Sequence, residues 1–303
     1  MMTPRLLDLF CGAGFQVHEN CYDCVELYEG CPGCQALFHQ GQPRALSPAL
    51  LQHGQSVRRR EKMMNAKPLL YDLFCGAGGS SHGYQLAGFR VIGVDIKSQP
   101  RYRGDDFIRM DALEFLRDYQ NGHFEEAAAF AASPPCQAYS SLRRMPGTKQ
   151  NHPQLIDPTR AALLLSGKPY VIENVCGSPL VNPIMLCGTM FGLGVGAGEL
   201  RRHRLFESNV ALKCTMKCDH RAGSRKRTVG VYGNHGGRHF TAGVWGHTGG
   251  TSHRDWTPRI TADEGRAAMD IDWMTWAELT QAIPPAYTTF VGKQLMVALG
   301  RLG

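Results

Sequence analysis

LLYDLFCGAGG, residues 69–79, reads as a short apolar strand that closes on Asp72-Leu73-Phe74 and breaks into the turn Gly76-Ala77-Gly78-Gly79. Glycines at such a turn let the backbone bend sharply and let a ligand lie against bare peptide groups. The residues that follow, SSHGYQLAG (80–88), read as a helix ending at Gly88, and FRVIGVDI (89–96) as a second strand closing on Asp95. DALEFLRDY (111–119) is helical in period, and AAAFAASPPC (127–136) is a buried strand running into a Pro-stiffened loop. ALLLSGKPYVIENV (162–175) gives a helix end, a break and another strand. This alternation argues for an α/β fold with a parallel sheet covered by helices on both faces.

The turn by itself fits either a plain strand-to-helix connection or a ligand cradle. Asp95 lies where Rossmann-like sites place a ribose-binding carboxylate, and Asp111 follows beyond a third strand region. Together they point to a nucleoside-bearing cofactor. The spacing is not that of the six-residue G-x-G-x-x-G fingerprint, and no P-loop Lys-Ser/Thr pair follows, which disfavours a dinucleotide or a nucleoside triphosphate.

The chain writes the phrase twice. LLDLFCGAG stands at 6–14 behind Met1-Met2, and the copy at 69–79 stands behind Met63-Met64. After the first copy comes FQVHENCYDCVELYEG, with no helix of similar period and no acid-capped second strand. That copy reads as a remnant, a duplication or an upstream-translated segment, with Met63 or Met64 as an alternative start, so the second copy is the working one. SVRRREK (56–62) is a basic, linker-like run. Within the extension, Cys21-x-x-Cys24 and Cys31-x-x-Cys34 offer four soft ligands able to make a tetrahedral zinc site if the segment is ordered, and idle thiols if it is not. Cys214, Cys218 and His220 form a weaker set of candidate metal ligands further on.

Bulk properties set the surroundings. The 303 residues hold one large domain or a domain with a smaller attachment, and no run approaches the ~18 apolar residues of a membrane span. No signal peptide is read at the start, so a cytoplasmic, membrane-free protein is expected. The eleven cysteines then read as reduced thiols, ligands or catalytic groups rather than a disulfide framework. A formal charge of +7 favours a polyanionic partner such as DNA or RNA.

SPPCQAYSS places Cys136 directly after a strand and a Pro-Pro pair, on a loop whose fixed φ angles hold the thiol in one place. PYVIENV ends the next strand on Glu173-Asn174, at the sheet edge where α/β folds keep their chemistry. A buried structural thiol and a helix-capping acid are the bland readings. A thiol, a partly desolvated carboxylate and a cofactor pocket together make a nucleophile and an acid.

The ordered set DLFCGAGG, Asp95, Asp111, SPPCQ, IENV and RRHRLF resembles the DNA (cytosine-5)-methyltransferase family over residues 69–206. The tail ITADEGRAAMDIDWMTWAELTQAIPPAYTTFVGKQL (260–295) is similar to the closing segment of compact, bacteriophage-type members. The resemblance implies a Rossmann-like S-adenosylmethionine-dependent methyltransferase fold with a small inserted target-recognition module. It divides the chain into an extension (1–62), a catalytic domain (63–206), a recognition module (207–258) and a returning C-terminal segment (259–303). Phe74, Gly76, Gly78 and Gly79 would then contact S-adenosylmethionine, Asp95 its ribose and Asp111 its adenine. Cys136 would be the nucleophile, and Glu173 would hold and protonate a flipped cytosine at N3 with help from Arg204. Arg143, Arg144, Arg202 and Arg204 are candidates to hold phosphates or to lower the thiol pKa, or else plain solvated charge. The implied partner is double-stranded DNA, met by a monomer in the cytoplasm, the host's if the chain is phage-encoded.

Two features depart from the family. The module is short, and its VYGNHGGRHF (231–240) suits groove or backbone contact as well as a glycine-rich surface loop. The closing motif reads Gly292-Lys293 where many members have Gly-Asn. Lys293 either accommodates a carboxylated S-adenosylmethionine for carboxymethyl transfer, or it points to solvent or to the methionine carboxylate and ordinary methyl transfer continues. Free nucleotide or RNA as substrate, and a catalytically idle DNA-binding protein, are the competing functions.

Overall fold

The computed structural model describes residues 38–39, 42–43, 67–139, 153–196, 198–218, 220, 227–229, 231 and 261–301. The chain divides into two compact units, Met1–Ala66 and Lys67–Gly303. In the first, β1 (Phe38–His39) and β2 (Gln42–Pro43) form an antiparallel pair. The first glycine turn, the cysteines at 21, 24, 31 and 34, and the arginines at 143 and 144 lie outside the described residues.

The second unit opens with β3 (Leu69–Leu73), α1 (Gly79–Leu86), β4 (Arg90–Asp95) and β5 (Asp106–Arg109). It continues through α2 (Ala112–Gln120), β6 (Ala129–Ala132), α3 (Ile156–Leu165), β7 (Tyr170–Asn174) and β8 (Ile184–Leu186). A short 3-10 turn precedes β9 (Gly194–Val195), β10 (Gly198–Leu200), β11 (Arg204–Ser208) and β12 (Arg227–Val229). α4 (Ala262–Met269), α5 (Trp276–Gln281) and α6 (Pro285–Ala298) close it.

One sheet of seven strands carries the unit, in the order β5-β4-β3-β6-β7-β11-β8. Strands β5 to β7 of that row pair in parallel, and β11 runs antiparallel to both of its neighbours. This is the α/β architecture the alternation predicts and the Rossmann-like arrangement the resemblance implies, with an antiparallel strand added at one side. Parallel strands flanked by helices are buried on both faces, which is why LLYDL and YVIEN read as continuous runs and are buried at every position. Leu69, Tyr71 and Leu73 point to the side covered by Phe115, Leu116 and Tyr119 of α2 and Leu163 of α3. Leu70 points to the opposite side, against Tyr84 of α1 and Tyr287, Val291 and Leu295 of α6.

A second, three-stranded sheet has the order β12-β10-β9. The expected start of the recognition module, residue 207, falls inside β11, and the small sheet already begins at Gly194. The chain builds two strands of that sheet, returns to the large sheet through β11, and leaves again. No helix among the described residues is long and apolar enough to cross a membrane.

Candidate active site

Strand register sets the site. Leu73 pairs with Val94 and with Ala132, and Ala132 pairs with Ile172, so β4, β3, β6 and β7 end level with one another. Phe74, Asp95, Ser133 and Glu173 therefore emerge along one carboxyl edge, and Ser133 N–H donates to Leu73 O at 3.1 Å to close the row.

The glycine turn follows β3. Phe74 has φ +59, a left-handed conformation that costs a bulky residue about 1–3 kcal/mol and persists where the surroundings impose it. Gly76 has φ +52 and nothing within 4 Å of where a Cβ would sit, which leaves a bare peptide face. At Gly78, φ is +85 and a Cβ would meet the backbone N and O of Arg103 at 2.8 and 2.9 Å. The loop after β4 thus lies directly on the turn. Gly79 begins α1 and is packed under the carbonyl of Ile283.

Asp95 accepts hydrogen bonds from Gly76 N–H (3.0 Å) and Lys97 N–H (2.9 Å), which fixes its carboxylate against the turn. Four lone-pair sites on a carboxylate leave capacity for a ribose diol as well. Asp111 caps α2, its Oδ1 accepting from the N–H groups of Leu113 (2.9 Å) and Glu114 (3.1 Å), a role worth about 1 kcal/mol.

Below the turn lies a polar group the sequence reading passed over. Asp72 alternates with Leu73, so it points at α1, where Ser81 Oγ donates to its Oδ2 at 2.6 Å. It is fully buried, and burial pushes its carboxyl up to about 7. An acid four places before Gly76, facing a Ser-Ser helix start, was the available signal.

On the next strand Cys136 sits half-buried, four residues past the end of β6. Its loop is tied down by Asn174, whose Nδ2 donates to Pro134 O at 2.9 Å. Tyr139 N–H donates to Cys136 O at 3.0 Å and closes a turn around the thiol. Glu173 is buried at the end of β7, and Arg204 of β11 places Nε 3.0 Å from Glu173 Oε1, an ion pair whose angle leaves that oxygen without a directed hydrogen bond.

Burial raises the Glu173 carboxyl above the usual range, opposed by the guanidinium groups of Arg204 and Arg202 and by a hydrogen bond from Ser133. Burial raises the Cys136 thiol as well, with Glu173 adding to the rise and Arg204 and Arg202 opposing it. A thiol and an acid that share one guanidinium can act as a nucleophile and a proton donor on the same small ring.

Two expectations need correcting. Arg202 is not available to a phosphate: it is 2% exposed and donates to the carbonyls of Val231 (2.8 Å), Thr280 (3.0 Å) and Ala282 (2.9 Å). Three main-chain acceptors converge on it because buried carbonyls need donors. It ties the small sheet and the C-terminal segment to the arginine motif, and reaches the thiol by charge alone.

Lys293 does not reach the glycine turn. α6 runs beside α1 in the same direction, with Thr288 Oγ1 donating to Ser80 O, Thr289 Oγ1 to Gly83 O, and Gly292 lying against Ala87. Lys293 is exposed at the far end of an eight-residue helix, which puts it about 12 Å along from the turn. The carboxylated-cofactor role for it is withdrawn. The C-terminal segment meets the turn through Trp273 instead, whose Nε1 donates to Ala77 O at 2.8 Å. Arg103 stacks on that ring at 4.4 Å and pairs with Asp272 at 2.7 Å.

No protein-family model and no curated protein sequence matches the chain. Solved structures do. An E. coli prophage protein described as a DNA modification methyltransferase aligns over 77% of this chain and 100% of its own, at 16% identity and a TM-score of 0.50. The Dnmt2 methyltransferase of S. pombe aligns over 77% and 99%, at 14% identity and a TM-score of 0.49. The chain shares its mixed α/β, Rossmann-like fold with the prophage protein, as the motifs led one to expect of the fold.

Proposed function

We propose that the chain is a DNA (cytosine-5)-methyltransferase that uses S-adenosylmethionine. The observation that carries this is the Glu173–Arg204 ion pair and the Cys136 loop tied to Asn174, on the sheet edge that also holds the glycine turn and Asp95. The residues present fit the cofactor: the open peptide face at Gly76, the fixed carboxylate of Asp95 and the capping acid Asp111 offer what a nucleoside sulfonium needs. When bound, S-adenosylmethionine supplies an electrophilic methyl group to C5 of the cytosine.

The chain's own residues do the rest. Cytosine C5 is a poor nucleophile until a sulfur adds at C6. Cys136, as thiolate, forms the S–C6 bond, and Glu173 delivers a proton to N3, so the ring electrons collect at C5. Solvent water then takes the C5 proton as the C6–S bond breaks and the thiolate leaves, and N3 returns its proton to Glu173. Arg204 holds Glu173 in place and opposes the rise in the thiol pKa. A base inside a duplex is closed to this attack, so the cytosine must be flipped out, with residues 207–258 proposed to read the surrounding DNA.

The test is trapping on 5-fluorocytosine duplex DNA with S-adenosylmethionine, since fluorine at C5 blocks release. A stable covalent adduct is expected, absent in Cys136→Ala and reduced at least ~100-fold in Glu173→Gln. No adduct with any substrate sinks the reading in favour of an idle DNA-binding protein. An adduct on RNA or free dCMP but not on duplex DNA moves the substrate.

A further inference from the structure

Four side chains unused by this chemistry converge where the small sheet meets the large one. Cys187 directly follows β8, His203 directly precedes β11, and Cys218 and His220 lie on the segment leaving β11. One donor atom from each lies within 4.8 Å of all the others. Cys187 Sγ is 3.2 Å from His220 Nε2, and Cys218 Sγ is 3.6 Å from His203 Nε2. The two imidazoles meet edge to face with centroids 4.8 Å apart.

We infer that Cys187, His203, Cys218 and His220 form a structural zinc site of the Cys2His2 kind. A zinc ion with Zn–S bonds of about 2.3 Å and Zn–N bonds of about 2.0 Å has tetrahedral S···N edges of about 3.5 Å, which the two contacts bracket. Two sulfurs and two imidazole nitrogens are the donor set that selects zinc over hard, oxygen-seeking cations. Cys187 is fully buried and the other three are partly so. Four protein donors leave no open position, so the ion is structural rather than catalytic.

The sequence grouped Cys214 with Cys218 and His220. Cys214 instead turns toward Met216 O at 3.7 Å and packs on the apolar core. Its place is taken by two residues 31 and 15 positions upstream of Cys218, numbers that follow from 218 − 187 and 218 − 203. The site would staple the segment after β11 to both β8 and β11. Arg204, which follows His203 and donates to its carbonyl at 2.9 Å, would be steadied by the same ion.

The test uses the full chain with the cysteines at 21, 24, 31 and 34 changed to Ser, so that the extension contributes no metal. About one zinc per chain is expected to survive dialysis, and chelation should lower the melting temperature. Adding Cys218→Ser and His220→Ala should remove the zinc. His220→Cys should keep the metal, and its cobalt-substituted form should gain thiolate charge-transfer intensity. Three results each overturn the site: no zinc and no thiolate–cobalt band in the Ser background; full zinc retained by the Cys218→Ser/His220→Ala protein; or a Cys187–Cys218 disulfide in freshly purified protein. None of these readouts needs methyl transfer, so the zinc site and the proposed activity fail separately.

Discussion

Replacing Arg204 by Met removes the cation that, among the described residues, is ion-paired with Glu173. The two side chains are 13% and 10% exposed and 3.0 Å apart. At an effective dielectric constant of about 20, unit charges that close attract by roughly 5 kcal/mol, a ceiling from which desolvation is subtracted. Breaking a buried pair from one side costs about 3–5 kcal/mol. The low end, about 3 kcal/mol near pH 8, is expected here, because slight exposure and proton uptake by Glu173 both relieve the stranded charge. Burial already raises the folded-state pKa of Glu173, and losing the guanidinium raises it further. A carboxyl raised on folding contributes stability that is complete below its unfolded pKa and is lost as pH rises through its folded pKa. The penalty of Arg204→Met therefore shrinks as pH falls, toward about 1 kcal/mol of lost packing near pH 5. Urea unfolding at both pH values measures it, with Arg204→Met repeated in a Glu173→Gln background, where the pH dependence should shrink to the part that comes from His203 beside Arg204. A penalty equal at the two pH values in the wild-type background refutes the reasoning. So does one below about 0.5 kcal/mol near pH 8.

Two further substitutions probe the loops that present the chemistry. Asn174→Ala leaves the buried Pro134 carbonyl without its donor, at a cost of about 1–3 kcal/mol. Because that bond holds the Cys136 loop, kcat should fall at least ~10-fold while KM for S-adenosylmethionine stays within about 2-fold, and a change confined to KM would contradict the positioning role. Gly78→Ala drives a methyl into the Arg103 backbone and should lower stability by about 2–3 kcal/mol in thermal unfolding. Gly76→Ala meets no atom and should cost about 1 kcal/mol, yet weaken S-adenosylmethionine binding by calorimetry. Equal destabilisation by the two would remove the distinction between a packed and an open glycine.

Much of this arrangement was legible because it is written locally. The strand-turn-helix at 69–88, the acid closing β4 and the Pro-Pro-Cys loop after β6 each follow from residues a few positions apart. Asp72 was hidden because a period-two strand shows which face a residue takes only once both faces are known to be covered. Arg202 and Arg204 sit two residues apart in RRHRLF with nothing local to separate them. β11 points Arg204 at Glu173, while Arg202, two residues before the strand, is buried among carbonyls from Val231, Thr280 and Ala282. Sequence left Lys293 open between cofactor and solvent, because adjacency in the closing motif says nothing of how far along α1 the helix has travelled.

The sequence by itself determined the alternation of strands and helices, the bend after β3, and the stiff loop that carries Cys136, since backbone preference and apolar spacing are short-range. Tertiary structure alone decided which arginine meets Glu173, which residues of the C-terminal segment touch the glycine turn, and which thiols and imidazoles gather into one cluster. Those outcomes depend on the order of strands across the sheet, where residues 30 to 200 positions apart become neighbours, as Cys187 and His220 do, and Ala77 and Trp273 do.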